Sequence, residues 1–287
     1  MTLSSGTLYV VATPIGNLED ITLRALRILR EVDYIAAEDT RHTGQLLRHF
    51  EIDKLLLSLH EHNERNRVAQ IVELLAQGKN IALVSDAGTP LISDPGFPLV
   101  RELRQRKLSV VPIPGPSSVL AALSVAGLPT DRFVFEGFLP AKSTARRERL
   151  RALAGGQRTL VFFESSHRVS DSLADMITEI GGERLAVIAR ELTKRFEDVH
   201  GATLAELAGW LSADPNRNKG EFVVLVQGAP SATEADTPET RRLLTALLAE
   251  LPTSRAVVVV AKLTGLPKRA LYDLAITLNG SLAMAND

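Results

Sequence analysis

The sequence predicts an α/β protein of two lobes: a mostly parallel sheet in the N-terminal lobe, a mixed sheet in the second, and a small helical C-terminal appendage. Three observations lead there. Short apolar runs alternate with amphipathic segments through the first half, which is the signature of strand–helix–strand units in a doubly wound sheet. Strand-like runs in the second half are less evenly spaced, which favours a mixed sheet. A stretch of small and polar residues, APSATEADTP at 229–238, then reads as a linker to a leucine-spaced helical tail.

Taken in order, strands are expected over residues 7–12, 34–37, 55–59, 80–85 and 109–111, with helices over 22–30, 43–49, 65–77 and 98–105. PIPGPSS, 112–118, marks a hinge, so residues 1–115 form the first lobe and 116–230 the second. The second lobe opens with a helix over 117–126. Strands follow over 132–135, 159–163, 185–189 and 221–227, with helices over 144–153, 169–180 and 204–211. Residues 239–287 form the appendage. Helices over 254–263 and 268–278, joined by Thr264-Gly265-Leu266-Pro267, give it a helix-turn-helix-like character. The run from Val257 to Val260 reads equally as a strand, because β-branched residues favour sheets.

Composition narrows the function. With 45% hydrophobic residues in 287, the chain has material for a substantial core. Zero cysteines exclude disulfides and thiolate metal sites, consistent with a cytoplasmic protein. No apolar run reaches the ~20 residues of a membrane span, and the N-terminus has no secretory signal. Thirty-three basic against thirty-four acidic residues leave a net charge of −1, so global charge points to no nucleic-acid partner. Local charge differs: residues 141–158 carry Lys142, Arg146, Arg147, Arg149, Arg151 and Arg158 against Glu148 alone. Such a stretch is either a phosphate-neutralising surface or an ordinary solvated helix face.

The richest segment is ALVSDAGTPLISDPG at 82–96, where an apolar run stops at Ser85 and opens into glycine, proline and aspartate. That pattern is a buried strand feeding a structured loop, suited to main-chain recognition of a small molecule at strand ends. The first strand is followed by Pro14-Ile15-Gly16, which matches neither GxGxxG nor GxxxxGK[ST], so NAD and nucleoside triphosphates find no support. His60-Glu61-His62 invites a metal, since alternate strand residues share a face, but no third ligand is suitably spaced, and no metal is expected.

These segments, with VATPIGNLEDIT, AAEDTRHTG, LHEHNE, PGPSS, EGFLPAK, FFESSHR, ARELTK and KGEFVVLV, occur in a consistent order over most of the chain. Together they resemble the tetrapyrrole-methylase superfamily, and within it the branch that methylates a cytidine ribose in small-subunit ribosomal RNA. The resemblance implies a tetrapyrrole-methylase-like fold with S-adenosylmethionine folded between the lobes. Ala87, Gly88, Thr89 and Ile92 would then supply main-chain contacts, Ser117 and Ser118 would meet the nucleoside, and Phe163, Glu164 and Gly201 would close the other side. Pro14, Ile15 and Gly16 stand where the superfamily usually has glycine-proline-glycine, a departure from its pattern. The resemblance further implies the 2′-hydroxyl of the decoding-site cytidine of 16S rRNA as acceptor, and a homodimer.

A ribose hydroxyl is a weak nucleophile, so transfer benefits from in-line positioning and a group that takes its proton. Glu38, Asp39, Glu164, His167, Glu191 and Lys194 are candidates, with Glu164 or Asp39 favoured as base. Lys142, Arg146, Arg147 and Arg168 are the expected RNA contacts, and Phe97, Phe138 and Phe163 the aromatics near motifs. Two other functions fit the same residues: a tetrapyrrole or other small-molecule methylase, and a non-catalytic RNA-binding assembly factor.

Overall fold

Four apolar residues in a row are buried on both sides only within a covered parallel sheet. In the computed structural model, which describes residues 5–60, 63–229, 236–266 and 268–284, the run IALV forms such a strand, β4 (Ile81–Val84). Beside it stand β1 (Thr7–Val11), β2 (Tyr34–Ala37), β3 (Leu55–Ser58) and β5 (Ser109–Ile113), all parallel, in the order β3-β2-β4-β1-β5. Helices α1 (Leu23–Glu31), α2 (Thr40–His49), α3 (Glu64–Ala76) and α4 (Phe97–Gln105) are the crossovers. Alternation along β4 feeds both faces. Ala82 and Val84 join Ile28, Leu29 and Leu47 on one side, while Ile81 and Leu83 join Ile71, Leu75 and Leu99 on the other.

Helix α5 (Ser118–Val125) leads into a second sheet of β6 (Phe133–Phe138), β7 (Thr159–Ser165), β8 (Leu185–Arg190), β9 (Asp198–Thr203) and β10 (Glu221–Val226). Its order is β6-β7-β10-β8-β9, with β6 parallel to β7 and the other pairs antiparallel. One face is covered by α6 (Ser143–Leu153), α7 (Val169–Ile180) and α8 (Leu204–Ser212), packed on Leu160, Phe162, Phe222 and Val224. The other face, with Val161, Val187, Val223 and Leu225, meets α5 and Ile15 of the first lobe. Both sheets lie in one compact unit, Met1–Gln227; Gly228–Asp287 forms another.

Two differences from expectation have local causes, and one open reading, helix or strand over 257–260, resolves as the helix. Strand β9 (DVHGAT) was not anticipated: it is an edge strand, half exposed along its length, so no apolar run announces it. Helix α2 starts at Thr40, ahead of the expected residue 43, because the Asp39 carboxylate caps the helix by accepting from the Arg41 N–H at 2.8 Å. Val257 to Val260 is helical within α10 (Thr253–Thr264), which packs with α9 (Pro238–Leu248) and α11 (Lys268–Met284). There Val257 and Val260 are buried with Leu244, Leu271 and Leu274, and that packing outweighs β-propensity. Helix α10 ends at Gly265 in the left-handed conformation, φ +73°. Among the described residues, no helix is long and apolar enough to cross a membrane.

Candidate active site

The loop after β4 is held by backbone pairing. Thr13 and Gly88 exchange N–H···O bonds of 2.9 and 3.0 Å, and the Thr13 hydroxyl donates to the Ser85 carbonyl at 3.2 Å. Gly88 has φ +81°, and a Cβ there would lie 3.3 Å from Ile15 Cγ2, so glycine suits this close approach of two loops. The Thr89 hydroxyl donates to the Pro116 carbonyl at 3.0 Å and ties the loop to the start of α5. Three segments of the first lobe thereby converge at the C-terminal ends of its strands.

Between this edge and the second sheet lies a cavity of about 410 Å³. Ile15, Ala87, Asp94 and Ser118 line one side; Phe138, Phe163, Leu192, Lys194 and Glu221 line the other. Its size falls in the usual range for small-molecule sites, ~300–1,000 Å³. Non-glycine residues with positive φ flank it on both sides: Leu91 (+74°) and Ser93 (+70°) in one loop, Glu191 (+50°) and Thr193 (+64°) in the other. Each such conformation costs roughly 1–3 kcal/mol and persists only where surrounding contacts impose it. The loops also touch across the lobes. The Asn17 N–H donates to Thr193 Oγ1 at 3.1 Å, and a Cβ on Gly16 would stand 2.5 Å from Lys194 Cγ.

Charge inside the cavity is arranged around two groups. Lys194 Nζ donates to Glu191 Oε1 at 2.8 Å and Glu221 Oε2 at 2.6 Å. Burial works against its charge, but the two carboxylates prevail and hold its pKa above the ordinary lysine value, so it remains an ammonium. Asp94 is the opposite case. Burial, helped by neighbouring Asp86 and only partly opposed by Ser85, raises its carboxyl above the ordinary range. A carboxylate with raised proton affinity on a cavity wall suits proton acceptance. Sequence reasoning passed over Asp94, although it lies in the singled-out SDPG turn.

Of the expected cofactor residues, Ile15, Ala87, Ser118, Phe163 and Glu164 border the cavity. Gly88 and Thr89 shape its rim, Pro14 is buried behind it, Gly16 abuts Lys194, and Ser117 is the N-cap residue of α5. Ile92 and Gly201 do not border it. Ile92 is exposed, and Gly201 sits opposite Val187 on edge strand β9.

The two favoured bases are differently placed. Asp39 lies off the cavity wall, and its hydrogen bonds with the Arg41 side chain and backbone hold it far below the usual carboxylate range. Glu164 pairs with Phe222 across the ladder, so its side chain shares the helix-covered face with Phe162, opposite Phe163. The carboxylate is enclosed there, 3.4 Å from Arg168 Nη2, and its Oε1 has no hydrogen bond among the described residues. Burial, opposed by Arg168, raises its pKa.

The basic stretch is drawn into ion pairs. Arg146 is 4% exposed and bonds Asp175 at 2.7 Å. Arg147 and Arg151 share Glu179, and Arg149 pairs with Glu136. These guanidiniums fasten α6 to α7 and β6. Arg168 bonds the Leu139 carbonyl, while Lys142 at the start of α6 is exposed. Of the histidine pair, Glu61 and His62 lie outside the described residues; among those described, no cluster of three His, Asp or Glu could hold a metal.

A two-lobed scaffold with a ligand-sized cavity at the strand ends agrees with the family comparisons. Residues 7–208 match the model of the tetrapyrrole (corrin/porphyrin) methylases. The chain belongs to the tetrapyrrole methylases. Residues 234–279 match a second family model, described as the RsmI C-terminal HTH domain. Among curated family members, the chain is 53% identical to ribosomal RNA small subunit methyltransferase I of Escherichia coli O157:H7, over 96% of this chain and 97% of that one. It is 54% identical to the Pseudomonas aeruginosa protein of the same name, over 97% and 99%. Of solved family folds, the methyltransferase CobJ superposes with a TM-score of 0.59 at 22% identity, covering 78% of this chain and 95% of the other. At that identity the likeness establishes the fold alone.

Proposed function

We propose that this chain is an S-adenosylmethionine-dependent methyltransferase acting on the ribose 2′-hydroxyl of the decoding-site cytidine in 16S rRNA, within the small ribosomal subunit. The observation that carries the reading is near-full-length identity above 50% to relatives named for small-subunit rRNA methylation. Its proposed partners are that RNA and a second copy of the chain, in the cytoplasm. Exposed Leu120, Val125 and Phe133 supply apolar surface for the second copy.

The cavity suits the methyl donor. Gly88, Thr89 and Ala87 offer main chain, Phe163 and Leu192 offer apolar walls for a nucleoside, and Glu221 offers a carboxylate complementary to a cation. When bound, the cofactor supplies an electrophilic methyl group on a sulfonium sulfur. Asp94 takes the proton of the attacking hydroxyl, and Lys194, held by Glu191 and Glu221, hydrogen-bonds ribose oxygen and fixes the line of attack. Lys142 and Arg168 contact phosphates at the rim.

Gly88→Val is expected to abolish measurable cofactor binding by calorimetry in a folded protein. A β-branched residue at φ +81° is strained, and its side chain takes the space beside Ile15. Normal affinity would remove this loop from the donor site. The function itself is tested by offering labelled donor with undermethylated 30S particles and, in parallel, with uroporphyrinogen. Label at the cytidine 2′-oxygen supports the reading; label only in the tetrapyrrole overturns it.

A further inference from the structure

A regular strand sends alternate side chains to opposite faces. By that rule Phe135 and Phe138 of β6, three apart, would point opposite ways. They do not. Register with β7 shifts between Phe135 and Gly137: Phe135 stands opposite Val161, Gly137 opposite Phe162, and Phe138 opposite Phe163. Glu136 is thus an extra residue, and this β-bulge turns Phe138 onto the same face as Phe135 and Phe163, the face toward the first lobe. Gly137 makes the bulge possible with φ +64°, and a Cβ there would come within 3.1 Å of Ser93 Oγ in the facing loop.

The result is a propped aromatic. Phe163 stands edge-on to Phe135 at 4.9 Å between ring centres and to Phe138 at 5.6 Å. Phe163, itself backed by Phe135, therefore supports Phe138, which is nevertheless 55% exposed and borders the cavity. Phe97 and Phe196 are exposed too, but neither lines the cavity. Aromatic surface held rigid and left open beside a reaction site is suited to a flat ligand.

We propose that Phe138 is the stacking platform for the pyrimidine base of the target nucleotide. The inference rests on the function proposed above. For its ribose hydroxyl to enter the cavity, that nucleotide must leave the RNA stack, at a cost of a few kcal/mol. Stacking on an aromatic side chain returns about 1–3 kcal/mol per base. The bulge places that compensation on the same cavity as Asp94 and Lys194, the groups assigned to the sugar.

The test compares Phe138→Ala, Phe138→Trp and the unmodified chain in two measurements: kcat/KM for undermethylated 30S particles at saturating donor, and calorimetric affinity for S-adenosylhomocysteine. The alanine variant is expected to lose roughly 5- to 150-fold in kcat/KM. Its affinity for S-adenosylhomocysteine should stay unchanged, and tryptophan should restore most of the rate. Unchanged kcat/KM in the alanine variant, beside an active unmodified chain, overturns the platform alone. So does a loss confined to S-adenosylhomocysteine affinity, which would give the ring to the donor. An unmodified chain that leaves the cytidine unmethylated overturns this inference together with the function beneath it.

Discussion

Asp94→Asn is expected to slow methyl transfer by roughly 10²- to 10⁴-fold, the range of a lost proton acceptor, while donor affinity changes little. Fold stability should move the other way. The native carboxyl titrates above its unfolded value because burial disfavours its charge. Above the folded pKa it is ionised in both states, and the fold bears the full desolvation penalty. As pH falls through the folded pKa toward the unfolded one, the group protonates and the penalty fades. The asparagine variant carries no such penalty, so its melting temperature should equal or exceed that of the unmodified chain near neutrality, and its advantage should shrink with acidification. A variant that keeps full activity, or one that melts well below the parent at pH 7, would remove Asp94 from the role.

Arg146→Ala should have the largest effect on stability. The guanidinium bonds Asp175 at 2.7 Å and the Ala141 carbonyl at 3.3 Å, with about 5% of its side chain exposed. Asp175, itself 13% exposed, would keep the Ser143 hydroxyl at 2.9 Å as its hydrogen-bond partner among the described residues. Leaving a buried charge without its partner costs about 3–5 kcal/mol, or on the order of 10 °C in melting temperature for a unit of this size. Arg147→Ala supplies the contrast. That pair is 44% exposed on the arginine side, and Glu179 retains Arg151, so the loss should stay below about 1 kcal/mol. Equal thermal scans for the two variants would refute the buried-pair account.

The first sheet was legible because its central strand is uniformly apolar and its neighbours recur between amphipathic helices; IALV admits few other readings. The loop after it was legible for the same reason in reverse, since glycine, proline and aspartate cluster where the apolar run ends. What stayed hidden depends on partners far along the chain. Arg146 and Arg147 look like a basic surface until Asp175 and Glu179, 29 and 32 residues away, are brought opposite them. Glu164 carries an acidic label in any motif, but which sheet face it occupies is set by its register with Phe222. The bulge at Glu136 reverses the facing of Phe138, and hydropathy alone gives no sign of it. Edge strand β9 is polar enough to pass for a loop.

The position of β10 in the second sheet bears on how the chain matures during synthesis. The first sheet is complete once residue 113 has been translated, because β5 is its last strand. The second cannot close in that way. Its middle strand spans residues 221–226 and joins β7 to β8, so the strand pairs on either side await a segment made more than fifty residues after β7. Until that strand emerges, their apolar edges have no neighbour, and the nascent protein is a finished half beside an open one.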